Sequence, residues 1–248
     1  MKDPVFVAFS TQKGGAGKTT LTVLMASYLY YVRGLKVLVV DCDYPQYSIK
    51  EMRDRDVAIM KLNAAFKKNF VEQGLNPYPI LITKPEDALT KVKTRVENGE
   101  EYDLVLFDLP GTINNPGVAK TVSLMDYIFC PVAADKLILE SSLAFAMKVR
   151  DEIMTLNGCS VKQMFMVWNL VDARERTDLY DRYEEVFEEQ LLPTLKTRLP
   201  DTKRYRREGS KDAARAVFRS TFLPPDKNLL KGSRLVELVD EILGIIKL

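Results

Sequence analysis

Lys13-Gly14-Gly15-Ala16-Gly17-Lys18-Thr19-Thr20 places three glycines, two lysines and two threonines in eight residues. The apolar run Val5–Phe9 precedes this stretch, and the amphipathic run Leu21–Tyr31 follows it, so the order reads strand, glycine loop, helix. Such a loop turns backbone N–H groups inward around phosphate oxygens, with glycine wherever the chain wraps too closely for a Cβ. Lys18 would give a point charge to the β- and γ-phosphates, and the Thr19 hydroxyl would ligate Mg²⁺. The GxxxxGK[ST] pattern fails at its first position, where Gln12 stands, and a second lysine, Lys13, follows at once.

Three carboxylates end apolar runs. Asp41 and Asp43 follow Val37–Val40, and Asp108 follows Leu104–Phe107. Strand C-termini are where an open α/β sheet builds its site, and an aspartate there can hold Mg²⁺ through water. Gly111 adds an N–H able to sense a γ-phosphate. Asp41 and Asp43 lie two apart on an extended segment and can face one side, one supporting a metal and the other positioning a water. A turn with aspartate as helix cap is the alternative for this pair.

The elements that must hold these residues alternate. Short apolar runs at 5–9, 36–40, 79–82, 103–109, 127–131 and 163–168 read as buried parallel strands. Helical patterns fall at 19–32, 51–70, 85–98, 115–125, 137–156 and 179–191, with a last one at 233–246 behind a capping Ser233. The expectation is one α/β domain over residues 1–248, a doubly wound, mostly parallel sheet.

Composition narrows the chemistry further. The chain has 248 residues and no histidine, which removes His triads and most imidazole metal sites. Three cysteines without paired spacing argue against zinc or iron–sulfur centres and for a reducing cytoplasm. No signal peptide and no apolar run of about 18 residues is visible. Net charge is +2, yet residues 196–231 hold 11 Lys/Arg against 4 Asp/Glu. This segment, broken by Pro200, Gly209, Pro224 and Pro225, reads as an irregular surface excursion and a candidate polyanion-binding face.

Residues 13–20 resemble the deviant Walker A motif of the ParA/MinD ATPases, P-loop NTPases of the SIMIBI class. Asp41-Cys42-Asp43-Tyr44-Pro45-Gln46 is similar to their second motif and the Asp108 segment to their Walker B. Tyr44 is an insertion relative to that pattern, so the family's contact is not carried over to Gln46. A looser match, Arg219-Ser220-Thr221 before Pro224-Pro225, resembles ParA-like transfer proteins of conjugative elements.

The resemblance implies an ATP-sandwich homodimer using ATP and Mg²⁺, in which Lys13 crosses to the partner's phosphates. It implies a cradle of Gly14, Gly15, Ala16, Gly17, Lys18, Thr19 and Thr20, with Asn169 and Pro200 on either side of the adenine. Thr19, Asp41 and Asp108 would serve the metal, and Asp43 would orient the attacking water. Non-specific DNA would be held by Lys203, Arg204, Arg206 and Arg207, with a ParB-like or transfer-complex protein as activator. The setting would be cytoplasmic and nucleoid-associated, serving DNA partition or conjugative transfer.

Other readings stay open. A GTPase is favoured by the DxxG of Asp108–Gly111 and by Asn169-Leu170-Val171-Asp172, although Leu170 replaces the NKxD lysine. A MinD-like membrane ATPase would need a basic amphipathic C-terminal helix, whereas Glu237, Asp240 and Glu241 make this polar face acidic. A nucleotide-gated binding module with little turnover is the remaining class.

Overall fold

The computed structural model describes residues 3–72, 74–172, 174, 177–210 and 216–248. Six strands form: β1 (Val5–Phe9), β2 (Val37–Asp41), β3 (Ile80–Ile82), β4 (Leu104–Asp108), β5 (Tyr127–Val132) and β6 (Gln163–Trp168). Each lies within one residue of its expected bounds. They make one sheet in the order β3-β2-β4-β1-β5-β6, with every pairing parallel.

Alternation along the strands feeds two cores. Val7, Phe9, Val37, Val39, Leu104 and Leu106 belong to one face, and Ala8, Leu38, Val40, Val105 and Phe107 to the other. Near-continuous apolar strands are what a sheet covered on both sides requires. The first face carries α1 (Lys18–Tyr31). On the second lie α4 (Pro85–Glu97), α5 (Pro116–Ser123), α6 (Lys136–Lys148) and α7 (Thr177–Glu189). Asn115 accepts from Gly117 and Val118 N–H to start α5, with Pro116 in the first helical position where its missing donor costs nothing.

Three expectations change. The single helix expected over 51–70 is two, α2 (Ser48–Leu62) and α3 (Ala64–Glu72), because Asn63 is extended at φ −110° and ψ 104°. The helix expected over 137–156 passes after Lys148 into a π-helical turn, Val149–Ile153. Ser233 holds the start of the last helix, but its Oγ accepts Leu235 N–H at 3.1 Å and α9 runs Leu235–Ile246.

A larger correction concerns residues 196–231. Far from being a surface excursion, this segment buries Leu199, Tyr205, Val217, Phe218 and Leu223. Residues 193–201 first run beside β6, where Leu195 and Leu199 N–H donate to Met166 and Trp168 carbonyls. The chain then makes a 3₁₀ turn (Lys203–Arg206), crosses the outer side of α1 and α2, and forms α8 (Lys227–Leu230). Residues 211–215 of this basic stretch lie outside the described residues. The crossing explains why α1 is not amphipathic: every residue from Leu21 to Leu29 is buried. Ser27 Oγ donates to the Ser220 carbonyl at 2.5 Å and Tyr31 OH to that of Thr221 at 3.3 Å. Asp56, buried on α2, accepts from Ser220 Oγ, Thr221 N–H and Thr221 Oγ1 at 3.1, 2.6 and 2.7 Å.

Candidate functional site

Parallel register gathers the carboxylates. Asp108 pairs in register with Asp41 on one side and Phe9 on the other, so β1, β2 and β4 end at one level. The glycine loop leaves β1 there and delivers Lys18, Thr19 and Thr20 as the first turn of α1. The first N–H groups of a helix have no partner within it and offer themselves to an anion.

Loop geometry accounts for the glycines. Gly15 and Gly17 have φ of +87° and +97°, a region that favours glycine. A Cβ on Gly17 would also stand 2.3 Å from Asn169 Nδ2, whereas Gly14 and Gly15 border open space. Asn169 Nδ2 donates to the buried Ala16 carbonyl at 2.8 Å, tying the end of β6 to the loop. Gly111 fits against the loop's other flank, where a Cβ would meet the Gln12 carbonyl oxygen at 2.5 Å.

Thr19 Oγ1 donates to Asp108 Oδ2 at 2.8 Å. Asp108 is fully buried, and its Oδ1 has no hydrogen-bond partner. Burial, then the nearby Asp41 and Asp43 charges, push its carboxyl up to about 7, against the pull of Thr19 and Lys18. A buried carboxylate with one oxygen unused is costly unless a cation or cation-bound water meets it. The pair Thr19–Asp108 therefore fits Mg²⁺ carried on a phosphate ligand. Among the described residues no cluster of three or more His, Cys, Asp or Glu forms a metal cage.

Asp41 is buried and its carboxyl is raised by that burial. Its oxygens accept Lys50 N–H at 2.9 Å and Asp43 N–H at 3.4 Å, so it closes the N-terminus of α2 in the manner of a cap. Asp43 is half-buried, with its carboxyl raised by burial and lowered by the charge of Lys18. Tyr44 stands 54% exposed with Lys84 Nζ 5.3 Å from its ring centre, and Gln46 is exposed beside it. Lys13 is exposed on the loop.

Pro200 lies by the end of β6, bridged to Val171, with Val171 N–H donating to Leu199 and Asp201 N–H to Val171. Asp172 is engaged by Arg174, whose guanidinium donates to both carboxylate oxygens and holds that carboxyl down at about 2. In the basic turn Tyr205 is buried while Lys203, Arg206 and Arg207 are exposed. Arg204 Nη1 donates to the Lys231 carbonyl.

One neighbour of the loop lies outside the three nucleotide motifs. Arg219 Nη1 donates to Thr20 Oγ1 at 2.6 Å and joins α1 to Glu208 and Arg55. The sequence marked it only through the basic segment and the loose Arg219-Ser220-Thr221 match, and neither pointed to the glycine loop.

The family model "CobQ/CobB/MinD/ParA nucleotide binding domain" matches residues 7–130. That is half of the chain and contains the glycine loop and all three aspartates. Among solved structures, the chain resembles a plasmid partition protein from Borrelia burgdorferi B31 bound to AMPPNP. The TM-score is 0.60 at 17% identity, covering 96% of this chain and 98% of that one. A ParA family ATPase from Chlorobium tepidum TLS gives 0.58 at 15% identity, covering 96% and 93%. Cobyrinic acid a,c-diamide synthase from Mycobacterium smegmatis, with ADP and magnesium, gives 0.57 at 20%, covering 84% and 89%. No curated protein matches the sequence. The chain belongs to the CobQ/CobB/MinD/ParA nucleotide-binding family.

Proposed function

We propose that this chain is a magnesium-dependent ATPase that works as a DNA-binding switch in DNA partition or conjugative transfer. The observation that carries this reading is Thr19 bonded to the buried Asp108, whose second carboxylate oxygen is unused, beneath an open glycine loop. Backbone N–H groups of the loop and of α1 hold the phosphates, Lys18 neutralises them, and Thr19 and Asp108 hold the metal side. Bound Mg²⁺ would supply charge neutralisation at the transferred phosphate. Asp43, its carboxyl raised by burial, accepts a hydrogen bond from the attacking water and sets its line of approach. Asp41 fixes α2 and thereby the backbone that presents Asp43.

Lys13, exposed on the loop, reaches the phosphates of a second copy, so that ATP assembles a homodimer. Asn169 and Pro200 flank the base. The reading of adenine over guanine is supported by Asp172, whose two carboxylate oxygens are taken by Arg174. Exposed Lys203, Arg206 and Arg207, with Arg204, meet DNA phosphates without regard to sequence. A ParB-like or transfer-complex protein stimulates turnover in the cytoplasm, on the nucleoid. Among the described residues no helix is long and apolar enough to cross a membrane.

The test compares ATP and GTP turnover, together with retention on DNA at low salt. ATP is expected to be the faster substrate, and DNA retention to require Mg-ATP. The double variant Arg206→Glu/Arg207→Glu is expected to weaken retention equally on unrelated sequences and to lower the salt slope by about 2. Faster GTP turnover, or unchanged retention in the double variant, defeats the corresponding half of the reading.

A further inference from the structure

Arg219 touches both the first turn of α1 and the segment that follows the basic turn. Its Nη1 donates to Thr20 Oγ1 at 2.6 Å, in the first turn of α1 and one residue from the Thr19 that binds Asp108. Its Nε and Nη2 donate to Glu208 Oε1 at 3.0 and 2.6 Å. Glu208 Oε2 pairs with Arg55 of α2 at 2.8 Å. The backbone continues the link, since Phe218 and Arg219 N–H both donate to the Arg207 carbonyl at 2.9 Å. The side chains of Arg219 and Glu208 are each only 20% exposed, so water screens this pair weakly.

We propose that Arg219 is a positioning residue through which the phosphate-binding turn sets the placement of the basic turn 203–207. The inference rests on the nucleotide-switch reading above and names its internal link. Phosphates seated on the N-terminus of α1 place several negative charges one helical turn from a guanidinium already in contact with that turn. They compete with Glu208 for it, and a planar guanidinium can exchange one pair of oxygens for another without losing its geometry. Glu208 keeps Arg55 as its second partner, so it stays anchored to α2 when Arg219 leaves it. Arg219 carries the Arg207 carbonyl with it through its own N–H. Occupancy at the loop is thereby converted into a displacement of Arg206 and Arg207, and the coupling is reciprocal.

Amide hydrogen exchange with and without Mg-AMPPNP tests this without DNA. In the wild-type chain, Mg-AMPPNP is expected to slow exchange at residues 14–21 and to change it at 203–210 by about fivefold or more, the lower range of measured couplings. Arg219→Lys keeps the charge but loses the fork; it is expected to retain the response at 14–21 and to lose that at 203–210. Glu208→Gln is expected to show, without nucleotide, the exchange at 203–210 that the wild type shows with it. A merely structural arginine would shift exchange equally in both states. The inference is overturned if residues 14–21 respond in the wild type while 203–210 do not, or if Arg219→Lys keeps the full distal response. DNA retention, measured separately, decides the DNA reading, so the two failures are distinguishable.

Discussion

Asp108 shows how one carboxylate reports on a ligand through its own titration. Its carboxyl is raised from 3.8 to about 7 in the fold, chiefly by burial. A raised acid is favourable to folding below its unfolded value, and that contribution is lost as pH rises through the folded value. Without ligand, stability is therefore expected to fall between about pH 4 and pH 7. Asp108→Asn should reduce this slope, leaving the smaller part owed to Asp41, Asp43 and Asp56. It should also stabilise the ligand-free protein at pH 8 by about 1–3 kcal/mol, or ~5 °C in melting temperature. The same variant should lose the added stabilisation by Mg²⁺ with nucleotide, and a calorimetric pH series reads both effects. Asp43→Ala makes the opposite kind of variant: it should bind ATP normally and lose hydrolysis by about 10²-fold or more, since general-base positioning is worth that much. Normal single-turnover hydrolysis in Asp43→Ala would remove the water-positioning role.

At the level of elements, the strands and the glycine loop were legible because each is local: an apolar run of five residues, or a loop whose φ only glycine favours. The strap 216–223 was not legible, because its partners are distant in sequence and single in kind. Thr20, Ser27, Tyr31 and Asp56 sit on α1 and α2, and nothing in the spacing of Phe218-Arg219-Ser220-Thr221 announces them. The helix break at Asn63 was equally hidden, since the flanking residues keep a helical pattern across it. Asn169 was found from its place after β6, but its amide bond to the Ala16 carbonyl is a tertiary fact. Asp56 allows the strap's weight to be measured. Asp56→Ala leaves three buried or half-buried donors without an acceptor, at a cost of about 2–4 kcal/mol. Thermal unfolding by circular dichroism should fall by roughly 5–12 °C, with Asp56→Asn losing less. A shift under about 2 °C would mean that the strap is held by its apolar side chains alone.

For the whole molecule, the sheet ends at one face with the loop, the carboxylates and an exposed Lys13, and the proposed dimer closes over that face. Lys13→Ala should bind one ATP per chain but stay monomeric with Mg-AMPPNP, which light scattering after gel filtration reads directly. A full dimer in that variant would remove Lys13 from the interface. The site also draws on residues far apart along the chain. The Asn169–Ala16 bond joins residues 153 apart and the Arg219–Thr20 bond residues 199 apart. A chain still emerging from the ribosome has its glycine loop early, yet it lacks the amide that braces the loop and the guanidinium that rests on its helix. Such a chain pays the closure entropy of two very long loops before either bond forms. Nucleotide is thus expected to be held firmly only after synthesis has passed Arg219, so that half-made chains would stay out of the proposed ATP-bound dimer.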